Sequence, residues 1–303
     1  MGTSDARIGV IIASVGRPDC LRHTTKALAK QTLSPSQVIY AVTKAEDVHR
    51  PIDLPVGPAT QVEVLYCGKG LPRQRNAGLE ALAAECDFVV FFDDDFYPSR
   101  FALEGIVKAF SENDGVNGLT GHVIADGIHT PGIAEAEAVA LVEAWDEDRG
   151  HRDHRILQDD MIGLYGCNMA YRVSAIGETR FDETLPLYAW QEDIDFGARI
   201  PGRKIKTNAL AGVHRGTKSS RETAGRRLGY SQIVNPFYLW RKGSLPGWFA
   251  TRLALRNFLA NHAKQIRPEP WIDRRGRLIG NWIGLADILA GRSDPRRILD
   301  FEA

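Results

Sequence analysis

The sequence lacks the features that mark secreted and membrane-spanning proteins. Only four cysteines occur in 303 residues, far apart and without paired spacing, which excludes a disulfide framework and a cysteine-built zinc site and suits a reducing compartment. No run of about 18 apolar residues occurs, so we expect no membrane-spanning helix. The first residues, Met1 to Arg7, have no apolar centre of a signal peptide. We therefore predict a cytoplasmic protein.

Net charge is also lacking, because 38 basic residues balance 38 acidic ones, but the two signs are unevenly distributed. Residues 1–200 hold 31 acidic and 18 basic side chains, whereas residues 201–303 hold 7 and 20. Two interpretations stay open: complementary or simply solvated surfaces, or an acidic, metal-using part and a basic part that faces phosphates or an anionic membrane. The acidic part argues against a nucleic-acid partner.

Short apolar runs alternate with segments of helical periodicity over the first 110 residues. Unbroken runs such as Phe88–Phe92 predict strands buried on both faces, and Pro18, Pro72 and Pro98 predict helix starts. This alternation predicts an α/β fold, with a Rossmann-like, mostly parallel central sheet flanked by helices. The other predicted strands are Ile8–Ala13, Gln37–Thr43, Gln61–Tyr66, Val116–Ala125, Leu164–Tyr171 and residues 204–210.

Ligands of such sheets bind beyond the carboxyl ends of the strands, which here are residues 13–17, 43–47 and 93–97. The last of these segments contains three consecutive carboxylates, Asp93 to Asp95. The first and third face the same side of an extended chain, and their repulsion at a buried strand end requires a cation. A solvated acidic turn is the alternative, but the preceding apolar strand favours Mg²⁺ or Mn²⁺.

A helix start after the Gly-Pro loop at 70–72 carries Arg73, Arg75 and Asn76. Arginines and helix N-termini attract phosphate, although the same pattern also fits an ordinary amphipathic helix.

Three acidic residues lie within Trp190–Phe196, and one of them is a candidate general base. The rings of Tyr188 and Trp190 suit the apolar faces of sugars, whereas the alternative is a helix that is acidic in its first turn because of the helix dipole. His214 follows a predicted strand, either as a neutral metal ligand or as a structural histidine.

Taken together and in this order, these segments resemble family 2 glycosyltransferases with the GT-A fold, over roughly residues 7–215. The resemblance implies a metal-dependent, inverting hexosyltransferase that uses Mn²⁺ or Mg²⁺. Its donor would be a nucleoside diphosphate sugar, with UDP as the expected nucleotide, and its acceptor a hydroxyl of a saccharide or lipid-linked saccharide. Further matching segments are Gly166–Ala170, Phe181–Glu183 and Glu192–Asp195.

The resemblance also implies roles for individual residues. Asp193 is the expected general base, and Glu192 is expected to position the acceptor beside Trp190 and Tyr188. Asp95 is the expected direct metal ligand. His214 matches a histidine that adds a ligand in some members. The expected nucleotide-sugar contacts are Ala13, Ser14, Arg17, Arg73, Arg75, Asn76, Asp93 and Asp94.

One position departs from the family pattern. Family members usually have an acidic residue at the end of the second strand, where it holds the base. This chain has Ala41-Val42-Thr43-Lys44 there, with Asp47 only later. The departure leaves the identity of the base open.

We predict a glycosyltransferase domain at 1–219, with a nucleotide-sugar half at 1–125 and an acceptor half at 126–219, followed by a helical C-terminal extension at 220–303. In this extension arginines lie among tryptophans. Such helices either cap the catalytic domain or lie on an anionic membrane. We expect capping, with peripheral membrane contact as an addition.

Three other classes share part of the pattern. A haloacid-dehalogenase-type phosphatase needs Thr or Val two residues beyond its second Asp, whereas Asp95 is followed by Phe96 and Tyr97. A sugar-nucleotide pyrophosphorylase needs a longer Gly-rich loop than Gly16-Arg17-Pro18. A non-catalytic nucleotide-sugar-binding or scaffold protein of the same fold is the remaining alternative, and intact Asp95 and Asp193 argue against it.

Overall fold

The computed structural model describes residues 6–49, 60–148, 154–217 and 224–301. The chain forms two compact units. The first unit consists of residues 1–69, 73–180 and 200–217, and the second of residues 70–72, 181–199 and 218–303. Residues 181–199 therefore belong to the same unit as the basic C-terminal region, although our predicted domains group them with the N-terminal chain. The predicted domain division itself stays a prediction.

A nine-stranded sheet organises the first unit. Its strands are β1 (Ile8–Ala13), β2 (Gln37–Val42), β3 (Gln61–Tyr66), β4 (Phe88–Asp93), β5 (Phe96–Pro98), β6 (Val116–Asp126), β7 (Ile156–Gln158), β8 (Asn168–Arg172) and β9 (Arg203–His214). Their order in the sheet is β3-β2-β1-β4-β8-β6-β9-β5, and β7 pairs with β9.

The first four strands in this order are parallel. β1 lies between β2 and β4, and β2 also pairs with β3. All of β2 and all but the last residue of β1 and β4 are buried, which explains their unbroken apolar runs. Ala13 pairs with Asp93, so β1 and β4 end at the same level.

The other half of the sheet is mixed. β8 runs antiparallel to both β4 and β6, β6 is parallel to β9, and β5 and β7 are antiparallel to β9. The predicted α/β fold is confirmed, but parallel pairing dominates only between β3 and β4. Apolar runs indicate burial without indicating strand direction, which is why the sequence did not reveal the mixed half.

Among the described residues, five α-helices accompany the sheet, and the second of them begins with two residues that are counted in the second unit. Pro18 and Pro72 stand in first turns as predicted. Pro98 does not: it ends β5, opposite Gly212, and the next helix begins only at Ala102. Because β5 is an edge strand, the missing N–H of proline is tolerated there. The helices are α1 (Pro18–Leu28), α2 (Leu71–Glu80), α3 (Ala102–Glu112), α4 (Glu135–Glu147) and α5 (Val173–Ile176).

The second unit is helical. The α-helices in the described part of this unit are α6 (Glu192–Arg199), α7 (Gly225–Lys242), α8 (Gly247–Ala263) and α9 (Arg274–Leu289). Glycines let α7 and α9 pack backbone to backbone: a Cβ on Gly229 would lie 2.0 Å from the Arg277 carbonyl oxygen, and one on Gly280 would lie 2.2 Å from that of Arg226. None of the helices in the described parts of the chain has the length and apolar composition needed to cross a membrane.

Candidate active site

The three consecutive aspartates lie at the carboxyl end of β4. Asp93 closes the strand and is partly exposed, whereas Asp94 and Asp95 are buried in the turn that leads to β5. Ala13, at the end of β1, is the register partner of Asp93. The acids therefore lie where ligands bind to sheets of this kind.

Asp93, Asp95 and His214 form a group that can hold a metal ion, because one ligand atom from each lies within 4.8 Å of the others. The pairing of β5 with β9 places His214 opposite Phe96, next to the aspartates. His214 Nε2 lies 3.5 Å from Asp95 Oδ1 and 3.9 Å from Asp93 Oδ2. Two carboxylates and an imidazole suit Mn²⁺, and the carboxylates also suit Mg²⁺. The predicted divalent-metal site is thus confirmed as a group of side chains.

A second set of contacts orients His214. Asp126, which pairs with His214 across β6 and β9, lies 2.9 Å from its Nδ1 through Oδ1. The Tyr165 hydroxyl donates to Asp126 Oδ2 at 2.8 Å. A carboxylate on the far nitrogen of a ligating histidine fixes the orientation of the ring. Our sequence analysis missed Asp126, although it follows a predicted strand just as Asp93 does.

Opposing charges set the ionisation of these groups. Burial alone would raise the pKa of Asp95, but His214, Arg17 and the N–H of Thr217 hold it below its usual range. Burial would lower the pKa of His214, but its hydrogen bonds to Asp126 and Asp95 raise it to about 10. A metal ion bound here therefore replaces a proton on His214, since a ligating imidazole is neutral.

Arg17 is the first cation beside the aspartates. Its guanidinium pairs with both Asp94 and Asp95, the latter at 3.3 Å, and donates to the carbonyl of Thr217. The Ser14 hydroxyl donates to Asp94 at 2.6 Å. Asp94 is completely buried, and burial raises its pKa. Its observed contacts are those of a support for Arg17, and its predicted contact with the nucleotide sugar stays a prediction.

Arg75 is the second cation. It is only 2% exposed, and its Nη2 donates to Asp93 Oδ1 at 3.0 Å and to the carbonyl of Gly166 at 2.8 Å. The predicted segment around Gly166 and the predicted arginine therefore meet at the acid cluster. Asn76 is buried and Arg73 is exposed on the same helix, and their predicted roles toward the nucleotide remain predictions.

Asp47 lies in the short 3-10 helix (Ala45–Asp47) that follows β2. Its carboxylate accepts hydrogen bonds from the backbone N–H groups of Gly16, Thr43 and Lys44 and from the Thr43 hydroxyl, at 2.7–3.2 Å. Burial opposes ionisation, but these donors lower the pKa of Asp47. The carboxylate of Asp47 therefore accepts four hydrogen bonds, and these connect the loop after β1 to the loop after β2.

The second unit carries the predicted acceptor-side residues on one short segment. Tyr188 is 44% exposed, Trp190 is partly exposed, and Glu192 and Asp193 begin α6. Glu192 is buried, whereas Asp193 is partly exposed, with its Oδ1 accepting from the N–H of Ile194 at 2.8 Å.

The third acid of this segment, Asp195, has a structural environment. It is completely buried and accepts from Arg199 at 2.8 Å and from Lys242 Nζ at 3.0 Å. Lys242 also bonds to Asp182, whose pKa falls to about 2: burial opposes ionisation, but hydrogen bonds outweigh it, led by that from Lys242. Asp195 therefore differs from the other two acids of the segment, because its ion pair with Lys242 connects α6 to α7.

The parallel half-sheet that ends on Asp-X-Asp, with a histidine beside these acids, agrees with what the resemblance to GT-A glycosyltransferases implied. The family model described as glycosyl transferase family 2 matches residues 9–180. The chain belongs to this family and is a glycosyltransferase.

Solved structures show the same fold. The mannosyltransferase PcManGT from Pyrobaculum calidifontis, in complex with GDP-Man and Mn²⁺, is 14% identical, with a TM-score of 0.54 over 98% of this chain and 79% of that chain. TarS 1-349 from S. aureus is 16% identical, with a TM-score of 0.53 over 96% and 82%. Its complex with UDP gives a TM-score of 0.50 over 97% and 90%, also at 16% identity. Comparison with curated protein sequences finds no match.

Replacing Asp126 by Asn tests the arrangement around His214. The substitution removes no proposed metal ligand but weakens the hold on the imidazole, so we expect Mn²⁺ affinity to fall about 10–100-fold. Mn²⁺ affinity is measured by titrating the full chain with Mn²⁺ in a calorimeter. The matched control is Asp159→Asn, because Asp159 is an acid bonded to Arg203 at the surface; it should leave Mn²⁺ affinity unchanged. Equal affinity in wild type and Asp126→Asn would contradict the assignment.

Proposed function

We propose that this glycosyltransferase is metal-dependent and inverting, and that it transfers a hexose from a nucleoside diphosphate sugar to a hydroxyl of a saccharide or lipid-linked saccharide. The convergence of Asp93, Asp95 and His214 at the end of the sheet carries the proposal. UDP-sugars are the first donors to test and GDP-mannose the second, because structures of this fold contain UDP or GDP-Man.

The first unit supplies the donor side. Asp93, Asp95 and His214 would hold Mn²⁺ or Mg²⁺, which neutralises the charge of a departing diphosphate when bound. Arg17 lies in the same charge network and is 29% exposed in its side chain, so it is the cation best placed to meet a phosphate. We assign the base, ribose and diphosphate to the other predicted contacts, which are Ala13, Ser14, Arg73, Arg75, Asn76 and Asp94.

The second unit supplies the acceptor side. Among the three acids of its segment, Asp193 is partly exposed, whereas Glu192 is buried and Asp195 is committed to Arg199 and Lys242. We therefore assign to Asp193 the removal of the proton from the acceptor hydroxyl, and to Glu192 the positioning of the acceptor. Trp190 and Tyr188 offer flat surfaces to a sugar ring. Attack in line with the departing diphosphate inverts the anomeric carbon.

Asp193→Asn separates the base from the donor site. An amide cannot take the proton, and a positioned base contributes about 10²–10⁴-fold to rate, so we expect turnover to fall by that factor. Binding of UDP with Mn²⁺, measured by calorimetry, should remain that of the wild type. Asp300→Asn is the matched control, because Asp300 is an exposed aspartate of the same unit outside the predicted site; turnover should be unchanged.

The competing outcomes are distinct. If Asp193→Asn turned over substrate at the wild-type rate, the assignment of Asp193 as the base would be contradicted. Metal-dependent nucleotide binding without transfer or hydrolysis of any donor would instead favour a non-catalytic nucleotide-sugar-binding protein.

We also propose peripheral contact with an anionic membrane at its cytoplasmic face, through α8. This helix has no acidic residue, and its exposed side chains are mainly apolar or basic. Trp248, Leu255 and Leu259 are 52–63% exposed, and Arg252 and Arg256 are exposed among them. Apolar and arginine side chains on one helix suit the interface of an anionic bilayer.

Reversing two charges tests this contact. Arg252→Glu with Arg256→Glu should abolish co-sedimentation with vesicles of phosphatidylglycerol and phosphatidylcholine, because each basic residue near such a surface contributes about 1 kcal/mol. Lys26→Glu with Lys30→Glu makes the same charge change at exposed positions elsewhere and should leave most of the co-sedimentation intact. Equal partitioning of the two variants would remove α8 as the contact.

A further inference from the structure

The segment just before α6 has an unusual backbone. Leu187, Ala189 and Gln191 have φ angles of 60°, 51° and 76°, in the left-handed region that residues other than glycine seldom occupy. Hydrogen bonds hold the segment in place: the N–H of Leu71 donates to the carbonyl of Leu187, and Asn235 Nδ2 donates to the carbonyl of Trp190, both at 2.9 Å. Strained residues cluster at ligand sites and persist only where the surroundings fix them.

The side chain of Gln191 is buried without hydrogen-bond partners. Gln191 is 5% exposed, and within the described part of the chain neither its carboxamide oxygen nor its nitrogen has a hydrogen-bond partner. Asn235 is 1% exposed, and its Oδ1 is likewise unpaired among the described residues. Buried polar groups are nearly always hydrogen-bonded, so each such group needs an explanation.

Other buried amides of the same unit show the usual situation. Gln232, also 5% exposed, donates through Nε2 to Asn257 at 3.0 Å and accepts through Oε1 from Asn261 at 2.8 Å. Gln232 therefore has the internal partners of a structural residue, whereas Gln191 does not.

The unpaired atoms indicate the class of ligand. Gln191 offers N–H donors and one acceptor, and Asn235 offers a second acceptor. A sugar hydroxyl both donates and accepts, so neighbouring hydroxyls of a saccharide match this set. A phosphate would require mainly donors or cations, and an apolar group would satisfy none of the atoms.

We propose that Gln191 is a specificity-determining residue that hydrogen-bonds hydroxyl groups of the acceptor saccharide. The proposal rests on the proposed function, because Gln191 directly precedes Glu192 and Asp193. The strained backbone and the unpaired carboxamide then lower the stability of the free protein, and both hold the Gln191 side chain in position for a sugar.

Gln191→Met tests the proposal, with Gln232→Met as the matched control. Methionine has a similar size but no hydrogen-bonding amide. We expect Gln191→Met to melt at or above the wild-type temperature, because an unpaired buried amide is removed. Gln232→Met should melt lower, because it breaks two internal hydrogen bonds.

The ligand readout uses methyl glycosides of glucose, galactose, mannose and N-acetylglucosamine, added to the full chain with UDP and Mn²⁺. We expect one or more of these glycosides to raise the melting temperature of the wild type. Gln191→Met should lower the affinity for that glycoside about tenfold or more. UDP binding should stay the same in both. Gln232→Met should bind the glycoside as the wild type does.

Three results would overturn the proposal: a lowered melting temperature in Gln191→Met like that of Gln232→Met, equal glycoside binding in wild type and Gln191→Met, or no stabilisation of the wild type by any glycoside. Metal-dependent hydrolysis of a UDP-sugar by the wild type, measured in parallel, tells these failures apart from a failure of the proposed function.

Discussion

The constraint on which the first unit depends is the repulsion among carboxylates gathered at one end of the sheet. Asp93, Asp94 and Asp95 follow a fully apolar strand, and two of them are buried. Such a group is stable only where positive charge compensates it. Arg17, Arg75 and His214 supply that charge. Arg17 lies beyond the carboxyl end of β1, and His214 is the last residue of β9. The same arrangement brings carboxylate oxygens of Asp93 and Asp95 and an imidazole nitrogen of His214 within 4.8 Å of one another. A divalent cation bound there would add to the positive charge that compensates the carboxylates.

In the second unit, the three acids at the start of one short helix, α6, differ in burial and in their known partners. Asp195 is committed to Arg199 and Lys242 and so ties α6 to α7. Asp193 stays partly exposed beside it. The preceding segment accepts a strained backbone and an unpaired amide at Gln191. In the proposed account, the acceptor sugar provides what this segment lacks.

Sequence patterns predicted those parts of the molecule whose structure depends on neighbouring residues in the chain. The run Phe88–Phe92 required burial on both faces, and the acids after it required a cation. Asp126 was missed because a single acid after a long strand looks like any loop residue until the pairing of β6 with β9 places it against His214. Pro98 misled because a proline serves an edge strand as well as a helix start. Gln191 has no sequence pattern at all, since only the folded backbone buries it.

The most direct test of the central claim is pulsed EPR of Mn²⁺ bound to the full chain, with its histidines labelled by ¹⁵N. The account predicts coupling to one directly coordinated imidazole nitrogen, and loss of that coupling in His214→Gln. Bound Mn²⁺ without nitrogen coupling, or with coupling that survives in His214→Gln, would contradict it.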